Sequence, residues 1–513
     1  MSDSSAQIPK NSFSTLRWNM ALTVIVILVA LLLFLTAFLL VRTILFTRNS
    51  STVNLTFESS LPPLDQEPQT FAEHLASMIK IETVSHEDVS KDVNANFKIM
   101  QSQLAKTYPL AHKLLKKEIV DGYTLLYTWE GQNRDLKPVV FMAHQDVVPA
   151  DEHTLNQWTY PPFSGKIAEG FIWGRGTMDI KSQLISVFEA VETLIRNKFK
   201  PERTILLTFS HNEEVLGTGA RAVVEHLKVK GIRVQAVLDE GGSIYDGLIP
   251  GVKSLAATIG ISEKGYLSLK LTANATGGHS STPSNATAIG ILAKAVTRLE
   301  AHRFPHNIKM VKPMFQGLGT SASPLMQLAF ANLWLFGGVI IHTLAAKPET
   351  DATIRTTTAP TLFHSGVKDN VLPSVAEAVV NFRLLPGETI AEVCEHIRSI
   401  INDDRVTFEP MDQKAWEASP LSPVDCKAYQ HISSVVREIF PGSAVAPYIM
   451  LGGTDSRNFC DVSDNVYRFT PIVVKEEDLN RVHGVNERLE IDALYKMVDT
   501  FYRLIPRWAS KDM

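Results

Sequence analysis

The run from Met20 to Val41 constrains this chain more than any other feature, because it contains no charged residue. An apolar helix of about 20 residues is long enough to cross the hydrocarbon core of a bilayer. A soluble helix of that length would show a polar face to water, and this run has none. The run therefore predicts a transmembrane helix. A cleavable signal peptide is the alternative, although its apolar region is usually shorter and no convincing A-x-A cleavage site follows.

The flanking charges do not fix the orientation of this helix. Lys10 and Arg17 precede it, and Arg42 and Arg48 follow it, so the positive-inside rule is nearly balanced. N-x-S/T sequons, which favour a luminal or extracellular main domain, lie at Asn49, Asn54, Asn274 and Asn285. We expect a cytosolic N-terminus and a main domain in the lumen of the vacuole, endoplasmic reticulum or secretory pathway, or outside the cell. Cleavage of the run would instead give a secreted protein.

The composition fits two globular domains. With 513 residues, of which 45% are hydrophobic and 20% charged, the chain is long enough for two separate cores. Its formal net charge of -4 leaves no basic surplus to neutralise phosphates, which excludes a nucleic-acid-binding role. The cysteines Cys394, Cys426 and Cys460 are too few for a disulfide framework and lack the close spacing of structural zinc sites. The fold must therefore rest on apolar cores.

The chain divides into segments of different pattern. Residues 42–69 are rich in Ser, Pro and Asn, which is typical of a stalk. From residue 70 to 261, short apolar strands alternate with amphipathic helices, which predicts an α/β domain with a mostly parallel sheet flanked by helices. Residues 262–386 begin and end with strands around a helix, which indicates an inserted α+β domain for a lid or for dimerisation. The predicted order is an N-terminal tail (1–19), a transmembrane helix (20–41), the stalk (42–69), the main domain's first part (70–261), the insertion (262–386) and the main domain's second part (387–513).

A second apolar segment runs from Pro324 to Ala346 inside the insertion. It contains Gln327, Asn332 and His342 as well as paired glycines. Four interpretations remain open: a second membrane span, an apolar lid, a dimer surface and a groove for an acyl chain.

Side chains able to bind metals stand at the ends of predicted strands. His144 and Asp146 come directly after the strand PVVFM, and Glu213 and Glu214 follow the strand ILLTFSH. The remaining candidates are Asp179 in a glycine-rich turn, Asp239 and Glu240 after QAVL, and His483 in the loop RVHGVNE. Open α/β sheets form their sites at such strand ends, and imidazole and carboxylate suit zinc where no thiolate is offered. Taken singly, each residue is more often a hydrogen-bonded turn residue.

Nine segments, in order along the chain, carry a resemblance to a known family. They are MAHQDVVPA, WGRGTMDIK, HNEEVLGTGA, LDEGG, GGHSSTPS, NVLPS, NFRLLPG, LGGTDSRNF and RVHGVNE. From about Phe71 to Trp508, the chain resembles the zinc-dependent aminoacylase and carboxypeptidase S family of metallopeptidases. The N-terminal apolar helix and the second apolar segment resemble the branch of that family that contains carboxypeptidase S and the N-fatty-acyl-amino-acid synthase/hydrolases.

The resemblance implies a site for two zinc ions per subunit. Asp179 would bridge both ions through its two carboxylate oxygens. His144 and Glu240 would complete the ligands of one zinc ion, and Glu214 and His483 would complete those of the other.

The resemblance also assigns roles to residues beside the metals. Glu213 would be the general base that takes a proton from water shared by the two ions, with a metal ligand or a surface carboxylate as the alternative. Asp146 would hydrogen-bond the far nitrogen of a ligating imidazole and so fix its orientation. Asp239 would replace Glu240 as a ligand if Glu240 does not face the metal.

The resemblance assigns roles to three further residues, and the chemistry of these side chains supports those roles less strongly than it supports the metal ligands. His279 resembles the histidine that a partner subunit or a closing domain supplies to stabilise an oxyanion, and without the resemblance it would be read as a turn residue. Arg457 has a planar fork suited to a substrate carboxylate, and Asn370 would assist it.

With the resemblance, the sequence predicts a membrane-anchored two-zinc amidohydrolase that acts on small N-acyl amino acids, above all N-fatty-acyl ones. The resemblance also allows a homodimer. Hydrolysis is the default direction, and synthesis is allowed by microscopic reversibility. A carboxypeptidase acting on small peptides is the alternative within the class. A membrane-tethered binding protein without chemistry is the alternative outside it.

Overall fold

The computed structural model describes residues 11–49, 61–88, 94–411 and 415–513. Side chains are described from residue 18 onward, except those of Asn49 and Asn94. The first ten residues of the predicted tail and residues 50–60 of the predicted stalk, with the sequon at Asn54, lie outside the described residues.

Helices and strands alternate along most of the chain. The α-helices are α1 (Asn11–Asn49), α2 (Pro68–Ile79), α3 (Asn94–Thr107), α4 (Pro109–Leu114), α5 (Lys181–Arg196), α6 (Gly219–Val229), α7 (Ala288–Ala301), α8 (Lys312–Leu318), α9 (Pro324–Ala331), α10 (Leu333–Leu344), α11 (Pro348–Asp351), α12 (Ile390–Ile401), α13 (Lys427–Ile439) and α14 (Ile491–Trp508). The strands are β1 (Lys116–Val120), β2 (Thr124–Trp129), β3 (Val139–His144), β4 (Lys166–Ala168), β5 (Phe171–Trp173), β6 (Ile205–Ser210), β7 (Ala236–Tyr245), β8 (Ala256–Glu263), β9 (Gly265–Asn274), β10 (Gly278–His279), β11 (Thr357–Ser365), β12 (Val371–Leu372), β13 (Val375–Leu384), β14 (Val406–Pro410), β15 (Ala444–Met450), β16 (Val466–Val474) and β17 (Arg488–Glu490).

Helix α1 contains the predicted apolar run and extends beyond it. The part from Trp18 to Arg48 is long and apolar enough to cross a membrane, with a mean hydropathy of 3.4, and it is not buried against the rest of the chain. The predicted start of the stalk at residue 42 is too early, because residues 42–49 contain neither Gly nor Pro and the helix continues through them.

The large sheet has eight strands in the order β1-β2-β6-β3-β7-β16-β8-β15. Strand β3 runs parallel to β6 and β7, β16 runs parallel to β7, and β15 runs parallel to β8. The sheet is mixed rather than mostly parallel, because β1 and β2 form an antiparallel edge. Asp121 and Gly122 between them both have positive φ, which a tight hairpin turn of this kind requires.

Helices cover both faces of this sheet. Val139 and Phe141 of β3 lie in the core that contains α5 and α14, whereas Val140 and Met142 lie in the core that contains α6. Because successive side chains of a strand point to opposite faces, a strand covered on both sides is apolar throughout. This explains why the sequence PVVFM shows no polar alternation.

The second sheet is antiparallel, with the order β11-β13-β9-β14, and packs against α7 and α12. The predicted end of the insertion at residue 386 is therefore too early, since α12 and β14 follow it. The buried face of α12, formed by Val393, Ile397 and Ile401, lies in the core of this second sheet, and β14 pairs with β9. The large sheet resumes only with β15.

Part of the insertion packs on the main domain instead. Helix α8 lies against β15, and Ala322 forms a bridge with Val252 of the main domain. Beyond it, α9 and α10 are bent by 116° relative to each other and contact α1. The predicted insertion is therefore not one compact α+β unit.

Candidate metal centre

Five of the predicted metal-binding residues meet in two groups that share Asp179. Nε2 of His144 lies 3.1 Å from Oδ1 of Asp179 and 3.4 Å from Oε1 of Glu240. Nε2 of His483 lies 3.0 Å from Oδ2 of Asp179 and 3.1 Å from Oε2 of Glu214. In each group the candidate ligand atoms lie within 4.8 Å of one another. The two oxygens of Asp179 thus face different groups.

The sheet topology accounts for this convergence. His144 ends β3, Glu240 lies within β7, and Glu214 follows β6. These strands are parallel neighbours, so their carboxyl ends open at one edge of the sheet, where sites of α/β proteins form. Asp179 immediately precedes α5, and His483 lies in the loop after β16, which is the parallel neighbour of β7.

Asp146 organises three of the site's neighbours while fully buried. Nδ1 of His144 is 2.9 Å from the Asp146 carbonyl oxygen and 3.4 Å from its carboxylate, so the nearer acceptor is the backbone. The carboxylate accepts hydrogen bonds from the Ser85 hydroxyl at 2.6 Å and from the backbone N–H groups of Glu213 and Glu214. With its proton on Nδ1, His144 keeps Nε2 free as a ligand atom.

Glu487, which the sequence reasoning missed, holds the loop that carries Asp179. Its buried carboxylate accepts from the backbone N–H groups of Met178 at 2.7 Å and of Asp179 at 3.2 Å. The guanidinium of Arg175 donates to this carboxylate at 2.6 Å and to the carbonyl of His483 at 3.0 Å. This clip fixes the Asp179 loop relative to the His483 loop. The only signal in the sequence was the position of Glu487 within the segment RVHGVNE.

Asp239 does not face the two groups. One of its oxygens accepts from the backbone N–H of Glu240 and the other from that of Ser456, both at 2.9 Å. Burial, together with the charge of Asp455, raises the pKa of Asp239 to about 7. Glu240 therefore supplies the carboxylate at this strand end, and Asp239 has a supporting position.

Burial and the close packing of charged side chains shift the pKa values in the centre. Burial raises the pKa of Glu240 to about 8, against the opposing charge of His144. Burial alone would raise the pKa of Asp179. Hydrogen bonds from His144 and His483 outweigh this effect and lower the pKa below the usual range of an aspartate. Hydrogen bonds to Asp179 and Glu214 raise the pKa of His483 to about 10.

Glu213 is buried beside these groups. Burial, followed by repulsion from Glu240, raises its pKa well above that of an ordinary glutamate. A carboxyl group whose pKa is raised by its surroundings can exchange a proton near neutral pH, which is the requirement for a general base that later acts as an acid.

The side chains of the two ligand groups suit a pair of divalent cations such as zinc. Each group offers one imidazole nitrogen and carboxylate oxygens, the ligand types that zinc takes where thiolate is absent. Oε1 of Glu214 is buried and has no hydrogen-bond partner among the described residues. A cation would satisfy this oxygen and offset the repulsion among the carboxylates.

The remaining predicted residues do not belong to the two ligand groups. His279 lies on the ribbon formed by β10 and β12, and Asn370 directly precedes β12; both are exposed, and the Ser280 N–H donates to the Asn370 carbonyl. Arg457 stacks on Trp416, with 4.7 Å from Cζ to the ring centroid. Within the described residues, no hydrogen bond or ion pair joins these three predicted residues to the five metal-site residues. The roles expected for His279, Asn370 and Arg457 therefore stay predictions.

A cavity of about 770 Å³ is lined in part by Val84 and by the segment from residue 149 to 164. Its apolar wall includes Leu155, Trp158 and Phe163. Its lining residues reach only the residues that support the metal site: Val84 precedes Ser85, which donates to Asp146, and Trp158 lies under the guanidinium of Arg175.

Comparisons with known proteins identify the family of this chain. The family described as peptidase family M20/M25/M40 matches residues 140–507. The chain is 36% identical to a probable carboxypeptidase S-like 2 of Dictyostelium discoideum over 98% of this chain and 97% of the relative. It is 39% identical to the human N-fatty-acyl-amino acid synthase/hydrolase PM20D1 over 86% of this chain and 88% of the relative.

Among solved structures, an M20 family metallo-carboxypeptidase from Sulfolobus solfataricus has a TM-score of 0.60 at 15% identity, covering 86% of this chain and 99% of the other. At that identity the likeness concerns the fold. The family model and the two relatives together cover the whole region that forms the centre. The chain belongs to peptidase family M20/M25/M40, whose members are metal-dependent peptidases and amidohydrolases.

Proposed function

We propose that this chain is a two-zinc amidohydrolase that cleaves the amide bond of N-acyl amino acids, with N-fatty-acyl amino acids as preferred substrates. The observation that carries the proposal is the pair of ligand groups sharing Asp179, with Glu213 buried beside them. One ion would be held by His144, Asp179 and Glu240. When bound, the zinc pair lowers the pKa of water and polarises the amide carbonyl.

Glu213 is the general base in this proposal. Its backbone N–H is fixed by Asp146, and its carboxyl group is screened from bulk water. It accepts a proton from the attacking water and donates a proton to the departing amino group, since both steps need a carboxyl group of raised pKa. Glu214, the next residue, has the metal-holding role.

The acyl side of the substrate is assigned to the cavity lined by Leu155, Trp158 and Phe163. Its volume of about 770 Å³ lies within the range of pockets that bind small ligands. The name of the human relative, an N-fatty-acyl-amino acid synthase/hydrolase, supports an acyl chain rather than a peptide there.

The carboxylate of the leaving amino acid is assigned to Arg457. The stacking on Trp416 and the bond from Nη1 to the Thr454 carbonyl hold its guanidinium, and the fork retains further donors for a carboxylate. Asn370 and His279 lie at an exposed ribbon, so they would reach the reacting carbonyl only after domain closure or from a partner subunit. We therefore assign the oxyanion-stabilising role to His279 within a homodimer.

A carboxypeptidase acting on small peptides is the second candidate, because the Dictyostelium relative is named a probable carboxypeptidase S-like protein. Purified full-length protein with zinc would be given N-oleoyl-phenylalanine and, separately, a blocked dipeptide ending in phenylalanine. We expect the larger kcat/KM for the acyl amino acid. A larger value for the dipeptide would transfer the assignment to the carboxypeptidase.

The same amide bond can be formed in reverse. Incubation with oleate and phenylalanine should yield N-oleoyl-phenylalanine, because a catalyst accelerates both directions of one equilibrium. If hydrolysis proceeds under the same conditions and no acyl product accumulates, the synthase activity is removed from the proposal.

We also propose that α1 anchors the catalytic domain on the luminal or extracellular side.

A further inference from the structure

Helices α9 and α10 form a charge-free pair, which we call the apolar hairpin (residues 324–344). No Asp, Glu, Lys or Arg occurs in it. Several of its large side chains face outward: Leu325 is 74% exposed, Trp334 58% and Val339 66%. Water-exposed apolar side chains grouped in this way mark a contact surface.

The apolar hairpin is too short to cross a bilayer. Its helices have 8 and 12 residues. At a rise of 1.5 Å per residue they measure about 12 and about 18 Å, whereas a bilayer core is about 30 Å thick. The bend of 116° between them turns the chain back instead of extending it.

The bend is attached to the end of the apolar run in α1. Asn332, fully buried at the bend, directs its side-chain amide at the carbonyl of Leu39 and the hydroxyl of Thr43, each at 3.4 Å. Arg42, the first charged residue after the run, donates to the carbonyl of Ala331 at 3.2 Å. The hairpin therefore lies at the level where α1 changes from uncharged to charged sequence.

We infer that the apolar hairpin inserts into the interfacial layer of the lipid bilayer beside α1 and forms a second membrane contact. The occupant is lipid because the exposed hairpin continues the unburied apolar surface of α1, and Phe38 of α1 lies 6.3 Å from Trp334 between ring centroids. Tryptophan at this depth is typical of membrane interfaces. The inference rests on α1 being a membrane helix and is independent of the substrate proposed above.

The other end of the hairpin is fixed to the main domain. The Ser323 N–H donates to the carbonyl of Gly251 at 2.8 Å, and α8 packs against β15. Two membrane contacts, α1 and the hairpin, would therefore hold the catalytic domain in one orientation relative to the bilayer, where a single helix on a stalk would let it rotate.

Depth-dependent quenching tests the inference. Full-length protein with Cys394, Cys426 and Cys460 replaced by Ser would carry one new cysteine labelled with the fluorophore NBD, in phosphatidylcholine nanodiscs with or without spin-labelled lipid. Val339→Cys reports on the hairpin. Val229→Cys, 88% exposed at the end of α6, is the matched control on the catalytic domain. Leu325→Cys, on α9, is a second reporter if the first variant does not fold.

We expect spin-labelled lipid to reduce the fluorescence at position 339 about twofold, and iodide in the buffer to have little effect there. The control at 229 should behave in the opposite way. Iodide quenching at 339 as strong as at 229, without lipid quenching, would overturn the inference. Protection of the labelled protein from both quenchers, with disulfide-linked dimers of the unlabelled Val339→Cys variant, would also overturn it, in favour of a second copy of this chain.

Discussion

Nε2 of His483 lies 3.0 Å from Oδ2 of Asp179, although the two residues come from different parts of the main domain, on either side of the insertion. This contact, with that of Glu214 at 3.1 Å, raises the pKa of His483 to about 10 when no metal is bound. His483 is then protonated at neutral pH, and its proton must leave before Nε2 can bind a cation.

Zinc binding should therefore strengthen as pH rises. A group of pKa about 10 is protonated throughout the range from pH 6 to 8, so each proton displaced changes the apparent affinity about tenfold per pH unit. Competition with a chromophoric chelator of known pH dependence, and calorimetry in buffers of different ionisation enthalpy, would measure the affinity and the protons released. An affinity that stays constant over this range, with no proton release, would contradict the account.

Asp146→Asn should weaken zinc binding by about 10- to 100-fold, because residues that orient metal ligands have effects of this size. The asparagine side chain cannot accept all three bonds that Ser85, Glu213 and Glu214 now donate. Asp464→Asn is the control, since that side chain is exposed at the surface. Equal zinc affinities in both variants would remove the positioning role of Asp146.

Glu487→Gln should destabilise the fold by about 3 kcal/mol, because it leaves the buried Arg175 without its charged partner. Thermal unfolding in the presence of a chelator would isolate this effect from metal binding. Glu477→Gln provides the comparison, since Glu477 is exposed and lies 3.9 Å from Arg488. A melting temperature no lower than that of the Glu477 variant would show that the clip does not support the Asp179 loop.

Helix α1 should remain in the mature protein. Without α1, the side-chain amide of Asn332 would lose two hydrogen-bond acceptors. The hydrophobic cluster that Phe46 helps to form with the apolar hairpin would also become exposed. Intact mass measurement of protein purified from membranes should find a chain that retains residues 11–49. A mature N-terminus beyond residue 49 would mean that the apolar run is a cleaved signal peptide.

Strand-end positions pointed to the candidate metal-binding residues, and the family resemblance indicated which of them are ligands. His144, Glu214 and Glu240 each stand at or near the end of a strand, and parallel strands open at one edge. The strand-end rule alone does not distinguish Asp239 from Glu240, since both follow the same apolar stretch, and the resemblance indicated Glu240. Glu487 was missed because its partners are backbone N–H groups, which leave no pattern in the sequence.

Sheet membership was harder to predict than the helices and strands themselves. Helix α12 and strand β14 have the same local pattern as the units of the main domain, so nothing in residues 387–411 indicated that they belong to the second sheet. The bend at Asn332 and its contact with α1 also depend on residues far apart in the chain. Such pairings are decided by tertiary packing, which local periodicity does not record.

The central claim is that Glu213 moves the proton while five other side chains hold two metal ions. Glu213→Gln keeps the size of the side chain and removes its basicity. Measured together, metal content and kcat for N-oleoyl-phenylalanine should show about two zinc ions per chain in wild type and variant, with kcat lower by about 10² to 10⁴ in the variant. Turnover close to wild type, or loss of one metal ion with the substitution, would contradict the account.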